Sequence, residues 1–130
     1  MKELPEDQLA GLLGPVGIRE YQQAPDYDKP KIREWLAGLS EMPDSDLIVE
    51  TASHILDDAI MRSFPRQNSY GIGCRVTACY EEAKRRHVAA GHDKECRGET
   101  LYSKGHAHAM RNQGHNPGER AVCTCGREGQ

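Results

Sequence analysis

The stretch DLIVETASHILDDAIMRS, residues 46–63, decides how this chain is read. Ile48, Ala52, Ile55 and Ala59 recur every three or four residues, and Leu47, Leu56 and Ile60 widen the apolar face they make. That is the period of an α-helix with one buried side. Pro43-Asp44-Ser45 in front supplies a break and a cap, and Pro65 behind cannot continue a helix. His54 falls off the apolar line and is expected in solvent. Asp57 and Asp58 diverge by about 100° around the axis, so they read as a solvated acidic face and not as a catalytic pair.

Toward the N-terminus, a second helix follows Asp28, with Pro30 in its first turn. Ile32, Trp35, Leu36 and Leu39 hold the i, i+3, i+4, i+7 pattern, and Trp35 is expected in the core. Pro5 through Leu13 reads as a short helix that Gly14-Pro15-Val16-Gly17 ends, and residues 18–28 read as a connecting loop. Toward the C-terminus, Pro65 to Gly73 reads as a linker. A fourth helix spans about residues 75–90, with Val76, Cys79, Tyr80, Ala83, His87 and Ala90 as its inner stripe. Glu81 with Arg85, and Glu82 with Arg86, form i, i+4 pairs on its outer face, and Gly91 caps it. Thr100 to Asn112 fits a fifth helix that Gly105 weakens, and the tail from Gly114 reads as loop with a short extended piece near Val122. The expected fold is mainly α: one domain over residues 1–130, with four to five helices and a metal-tethered, loop-rich C-terminal segment.

Composition explains why a metal tether is expected. The chain of 130 residues is 37% hydrophobic, holds one Trp, five Tyr and one Phe, and carries 13 glycines. A core this lean, with so much backbone entropy to overcome, needs cohesion from another source. Residues 1–70 carry 13 acidic and 7 basic side chains, whereas residues 71–130 carry 7 acidic and 10 basic ones. An acidic helical half is thus joined to a basic half that holds all five Cys and five of the six His. An odd number of cysteines suits a disulfide framework poorly. The charged start Met1-Lys2-Glu3 leads into no signal-type apolar run, and no stretch nears the roughly 18 apolar residues of a membrane span. A cytoplasmic location is the expectation.

The candidate ligands are Cys74, Cys79, His87, His92, Cys96, His106, His108, His115, Cys123 and Cys125. Zinc takes four such donors in a tetrahedron. Two close pairs joined by a long loop cost little chain entropy to assemble, and His92-x3-Cys96 and Cys123-x-Cys125 are such pairs. On an extended segment the two thiols of Cys123 and Cys125 point the same way. The expected site is therefore a structural zinc held by His92, Cys96, Cys123 and Cys125, for which Cys74, Cys79 or His115 can substitute at one position. Cys79 and His87, on the inner stripe, read more simply as core or rim residues, and Cys74 as a free thiol near a loop.

Two other chemistries have weaker signals. His106-x-His108 and His115, with Asn112 or Asn116, suggest a metal-dependent nuclease, but the spacings are short and no acidic base lies near. Arg75, Lys84-Arg85-Arg86, Lys94, Arg97, Lys104 and Arg111 make a basic set suited to phosphates, although only Tyr80 and Tyr102 supply aromatic rings there. No P-loop, G-x-S-x-G, H-E-x-x-H or C-x-x-C motif is present. The first expectation is a non-catalytic, zinc-stabilised binding or regulatory module that contacts a larger protein. Its contact face would be the acidic half or the surface of the third helix. The alternative is a zinc-stabilised nucleic-acid-binding regulator.

The stretch from Cys74 to Gly126, with Gly91-His92, Cys96 and Cys123-Thr124-Cys125-Gly126 as its landmarks, resembles small His/Cys-rich proteins of actinobacteria and their phages. The resemblance covers less than half the chain and carries over no active site. It implies a small accessory or regulatory protein that engages a larger host protein.

Overall fold

The computed structural model describes residues 6–64, 68–92 and 98–116. They form α1 (Glu6–Gln23), α2 (Lys29–Leu39), α3 (Asp44–Arg62), α4 (Tyr70–Ala89) and α5 (Leu101–Asn112), with no strand among the described residues. The mainly α reading holds. None of these helices is long and apolar enough to cross a membrane. The extended piece expected near Val122 lies outside the described residues.

α4 is the axis of the bundle, and all four other helices touch it. Leu12 and Glu20 of α1 bond Arg85 and Thr77 of α4 in reverse order, so the two helices run antiparallel. α2 runs parallel to α4, with Asp28 bonded to Arg75 at one end and Leu39 to Arg86 at the other. Such a central helix has little room for bulk. Its buried positions are Gly71, Cys74, Ala78, Cys79, Glu82 and Ala83, nearly all small. The stripe expected from Val76, Tyr80, His87 and Ala90 is therefore turned away: Tyr80 and Ala90 are exposed, and Val76 and His87 half-buried. The larger apolar groups come from the partners, with Leu9 and Leu13 of α1, Ile32, Leu36 and Leu39 of α2, and Leu47 of α3 all buried.

Glycines caused the main boundary differences. α1 does break at Gly14 (φ 71°), a positive φ that suits glycine, but Pro15 then starts a second helical segment in place of a loop. Tyr21 in that segment is buried, and its hydroxyl accepts from Arg33. α4 starts at Tyr70, five residues before the position expected from the sequence. Gly71 and Gly73 cost helix propensity, yet they let Asp28 and Glu20 of neighbouring helices sit directly against the backbone. Gly105 does the same for α5, since a Cβ there would lie 2.7 Å from Thr51 Cβ and 2.9 Å from the Ile48 carbonyl oxygen. α5 also starts from a capping box: Ser103 N donates to Thr100 Oγ1 at 3.2 Å, and Thr100 N donates to Ser103 Oγ at 3.3 Å. Asp28 precedes α2 without capping it, because its carboxylate is taken by Arg75 in two bonds of 2.8 Å.

A contrast between two glycines tests this packing. Gly11, inside α1, has nothing within 4 Å of the position its Cβ would take. Gly11→Ala should stabilise the fold by about 0.5–1 kcal/mol in urea denaturation. Gly105→Ala should destabilise it by about 1–3 kcal/mol, because the backbone at Ile48 must give way. Equal effects at the two sites would refute the close approach of α5 to α3.

Candidate functional site

The C-terminal ends of α4 and α5 are built alike. After α4, the N–H of Gly91 (φ 102°) donates to the Val88 carbonyl at 2.9 Å and that of His92 to the His87 carbonyl at 3.2 Å. After α5, the N–H of Gly114 (φ 79°) donates to the Arg111 carbonyl at 3.0 Å and that of His115 to the Met110 carbonyl at 2.8 Å. Both are Schellman caps, in which a left-handed glycine folds the next residue back onto the last turn. Gly91 thus caps α4 as its sequence position suggests, and Gly114 caps α5 in the same way.

The first cap brings His92 onto His87, with ring centroids 4.0 Å apart and planes 5° from parallel. This is the side-chain contact that accompanies such a cap, made here by two imidazoles. An imidazole nitrogen holds a metal in its own ring plane, so two stacked rings share no common ion in this arrangement. His87 Nε2 is buried without a hydrogen-bond partner among the described residues, beside a cavity of about 160 Å³ lined in part by Asp44, Arg86, Glu99 and Lys104. Of the expected quartet, His92 stands at this helix end, while Cys96, Cys123 and Cys125 lie outside the described residues. Among the described residues no group of three or more His, Cys, Asp or Glu converges as a metal site.

The remaining candidates separate clearly. Cys74 and Cys79 are fully buried in α4, and burial pushes their thiols up to about 12 and about 11. Cys74 is therefore a core residue of α4 and not a loop thiol. His106 and His108 are both exposed on α5. Two residues apart on a helix, their rings diverge by about 200° and do not converge on one ion. Of the basic set, Arg75 is committed to Asp28, and Arg85 and Arg86 to Glu82, while Lys84 extends over the exposed Tyr80 ring.

Glu82 was expected on the outer face of α4, but it is only 4% exposed. Its Oε1 accepts from Arg85 Nε at 3.3 Å and Nη2 at 3.0 Å, and its Oε2 accepts from Arg86 Nε at 2.9 Å. Arg85 Nη1 reaches the Leu12 carbonyl at 3.2 Å, at the last turn of α1 before the Gly14 break. Arg86 gives Nη2 to the Leu39 carbonyl at 3.0 Å and Nη1 to Asp44 at 2.8 Å. Above this network lies a groove of about 410 Å³ between α1, α2 and α4, walled by Leu12, Leu36, Ala37 and Leu39, with Arg85 and Glu82 at its base. That is the size of a small-molecule pocket. The Glu82–Arg86 pairing at i, i+4 is legible in the sequence, whereas Arg85, expected on Glu81, bonds Glu82 at i, i+3 instead. The burial of the pair is not legible, because nothing in residues 81–86 shows how closely α1 and α2 approach.

Compared with known proteins, the chain matches no family model, no curated sequence and no solved structure.

His54, expected in solvent, has a side chain only 15% exposed. It packs edge-on to Trp35 at 5.2 Å, and both rings donate to Glu50 Oε2, at 3.0 Å and 3.2 Å. Trp35 itself is half-buried against the core. Burial holds the His54 ring below its ordinary value of 6.5, against the opposing pull of Glu50. The fold therefore prefers the neutral ring, and as pH falls below 6.5 the unfolded chain takes up the proton first. Stability should fall as pH is lowered from 7 to 5, and the His54 ring should titrate below 6.5 by NMR. His54→Gln should flatten that slope, and a midpoint at or above 6.5 would contradict the buried placement.

Proposed function

We propose that the chain is a non-catalytic, zinc-stabilised protein-binding or regulatory module that engages a larger protein through the second half of α3. The observation that supports this reading is how burial stops along that helix. Leu47, Thr51 and Ala52 are buried, but beyond them Ile60 is 59% exposed and Phe64, just past the helix, 56%. Val49 is exposed as well, and Val49, Leu56 and Ile60 fall within about 40° of one another around the axis. An apolar stripe exposed among the described residues, with Asp46 and Asp57 exposed beside it, has the character of a contact surface with a polar rim. The resemblance to small accessory proteins of actinobacteria and their phages points the same way. A nucleic-acid role draws less support, because Arg75, Arg85 and Arg86 are committed to internal carboxylates.

Zinc enters as the cohesion that a lean core lacks. The Schellman cap fixes His92 four residues before Cys96, and the proposal joins them to Cys123 and Cys125.

Two measurements test the two parts of this reading. Reduced protein purified without chelator should carry one zinc by native intact-mass analysis. Cys96→Ser should then lower the melting temperature by more than about 5 °C. Metal-free protein whose melting ignores a strong chelator would remove zinc from the proposal. For the contact face, immobilised wild-type chain should retain one specific protein stoichiometrically, and Ile60→Asp should release it while melting at the same temperature. Equal retention by the variant, or no specific partner, would refute the use of α3.

A further inference from the structure

Most glycines within these helices have a structural reason. Gly17, Gly71, Gly73 and Gly105 each face an atom too close for a Cβ, and Gly14 turns the chain through a positive φ. Gly11 and Gly38 have neither reason: a Cβ at either would meet nothing within 4 Å. A helical glycine costs backbone entropy, and here no neighbour within the protein compensates. Gly11 lines the groove between α1, α2 and α4; Gly38 does not, although its chain neighbours Ala37 and Leu39 do. The bare backbone keeps one side of a cavity of about 410 Å³ open.

The chemistry of the lining selects what fits. Three leucines and Ala37 make apolar walls, which suit a hydrocarbon or aromatic body. The charged groups at the base are unequal. The Glu82 side chain is 6% exposed and already accepts three N–H bonds, so it offers little to a newcomer. The Arg85 side chain is 37% exposed. Its Nε and Nη2 serve Glu82 and its Nη1 serves the Leu12 carbonyl, which leaves a second N–H on each terminal nitrogen. The accessible charge is thus a guanidinium, and its natural complement is a carboxylate.

We propose that this groove binds a small amphipathic carboxylate, its apolar chain lying along Leu12, Leu36 and Leu39 and its carboxylate on the free N–H groups of Arg85. Among the described residues, none of α3 and no proposed zinc ligand lines this groove, and its test reads neither the α3 surface nor zinc.

Titration of the full chain with octanoate, octanol and octylamine, followed by NMR shifts or calorimetry, tests this. Octanoate should bind saturably at one site, at least about tenfold more tightly than the alcohol or the amine, as a charge-assisted bond requires. Arg85→Gln should erase that preference. Gly11→Leu, whose side chain enters open space, should abolish binding of all three while the circular dichroism and melting remain those of a folded protein. Absence of saturable octanoate binding at millimolar concentration would overturn the proposal, as would undiminished binding by Gly11→Leu. Equal affinity for octanoate and octanol would also overturn it, and would favour a purely apolar occupant such as a leucine side chain of a partner protein.

Discussion

One buried carboxylate holds the bundle's ends in place. Glu82 lies 4% exposed in the central helix and fixes two guanidiniums, each of which reaches out to other helices. Through Arg85 it ties α4 to the Leu12 carbonyl of α1, and through Arg86 to the Leu39 carbonyl of α2 and to Asp44 at the start of α3. A buried charge is costly unless its partners satisfy it fully, and here three N–H bonds do so. The guanidiniums in turn donate to carbonyls near the ends of α1 and α2, Leu12 and Leu39. Glu82 and Arg85 of the same network line the groove, so the element that orders the fold also sets the chemistry of that cavity.

Around that network, tight packing rests on small residues. With Gly71, Cys74, Ala78, Cys79 and Ala83 buried along it, α4 admits neighbours closely on several sides. Close approach lets the leucines and isoleucine of α1, α2 and α3 form a continuous core from few large side chains. Glu20 and Asp28 lie against the glycines of the first turn of α4, where a single methyl group would displace them.

How much of this the sequence shows depends on residue size. α2 and α3 were legible because Ile32, Leu36, Leu39 and Leu47 are large, buried and helically spaced. The inner face of α4 is only partly legible: Cys79 and Ala83 are buried as their spacing suggests, but Tyr80 is exposed and Val76 half-buried, while Gly71, Cys74 and Ala78 face the core. Gly71, Gly73 and Gly105 look like helix breakers when propensity alone is weighed, and only the neighbouring Asp28, Glu20 and Thr51 reveal their use. The site followed the same pattern. The donors of the second half could be counted, but the Gly-His caps show that His92 and His115 already have a conformational role apart from any metal. The burial of His54 and Glu82 depends on Trp35 and on the α1 break at Gly14, tertiary facts that local periodicity does not contain.

Equilibrium urea unfolding of Glu82→Gln at neutral pH tests the role of the buried carboxylate most directly. The substitution keeps the shape of the side chain, removes the charge, and leaves Arg85 without a carboxylate partner and Arg86 with Asp44 alone. If the network organises the helix ends, stability should drop by about 2–4 kcal/mol, well beyond the ~0–1 kcal/mol of an exposed pair. A change within about 0.5 kcal/mol would show that Glu82 is a bystander and that apolar packing alone sets the arrangement of the helices.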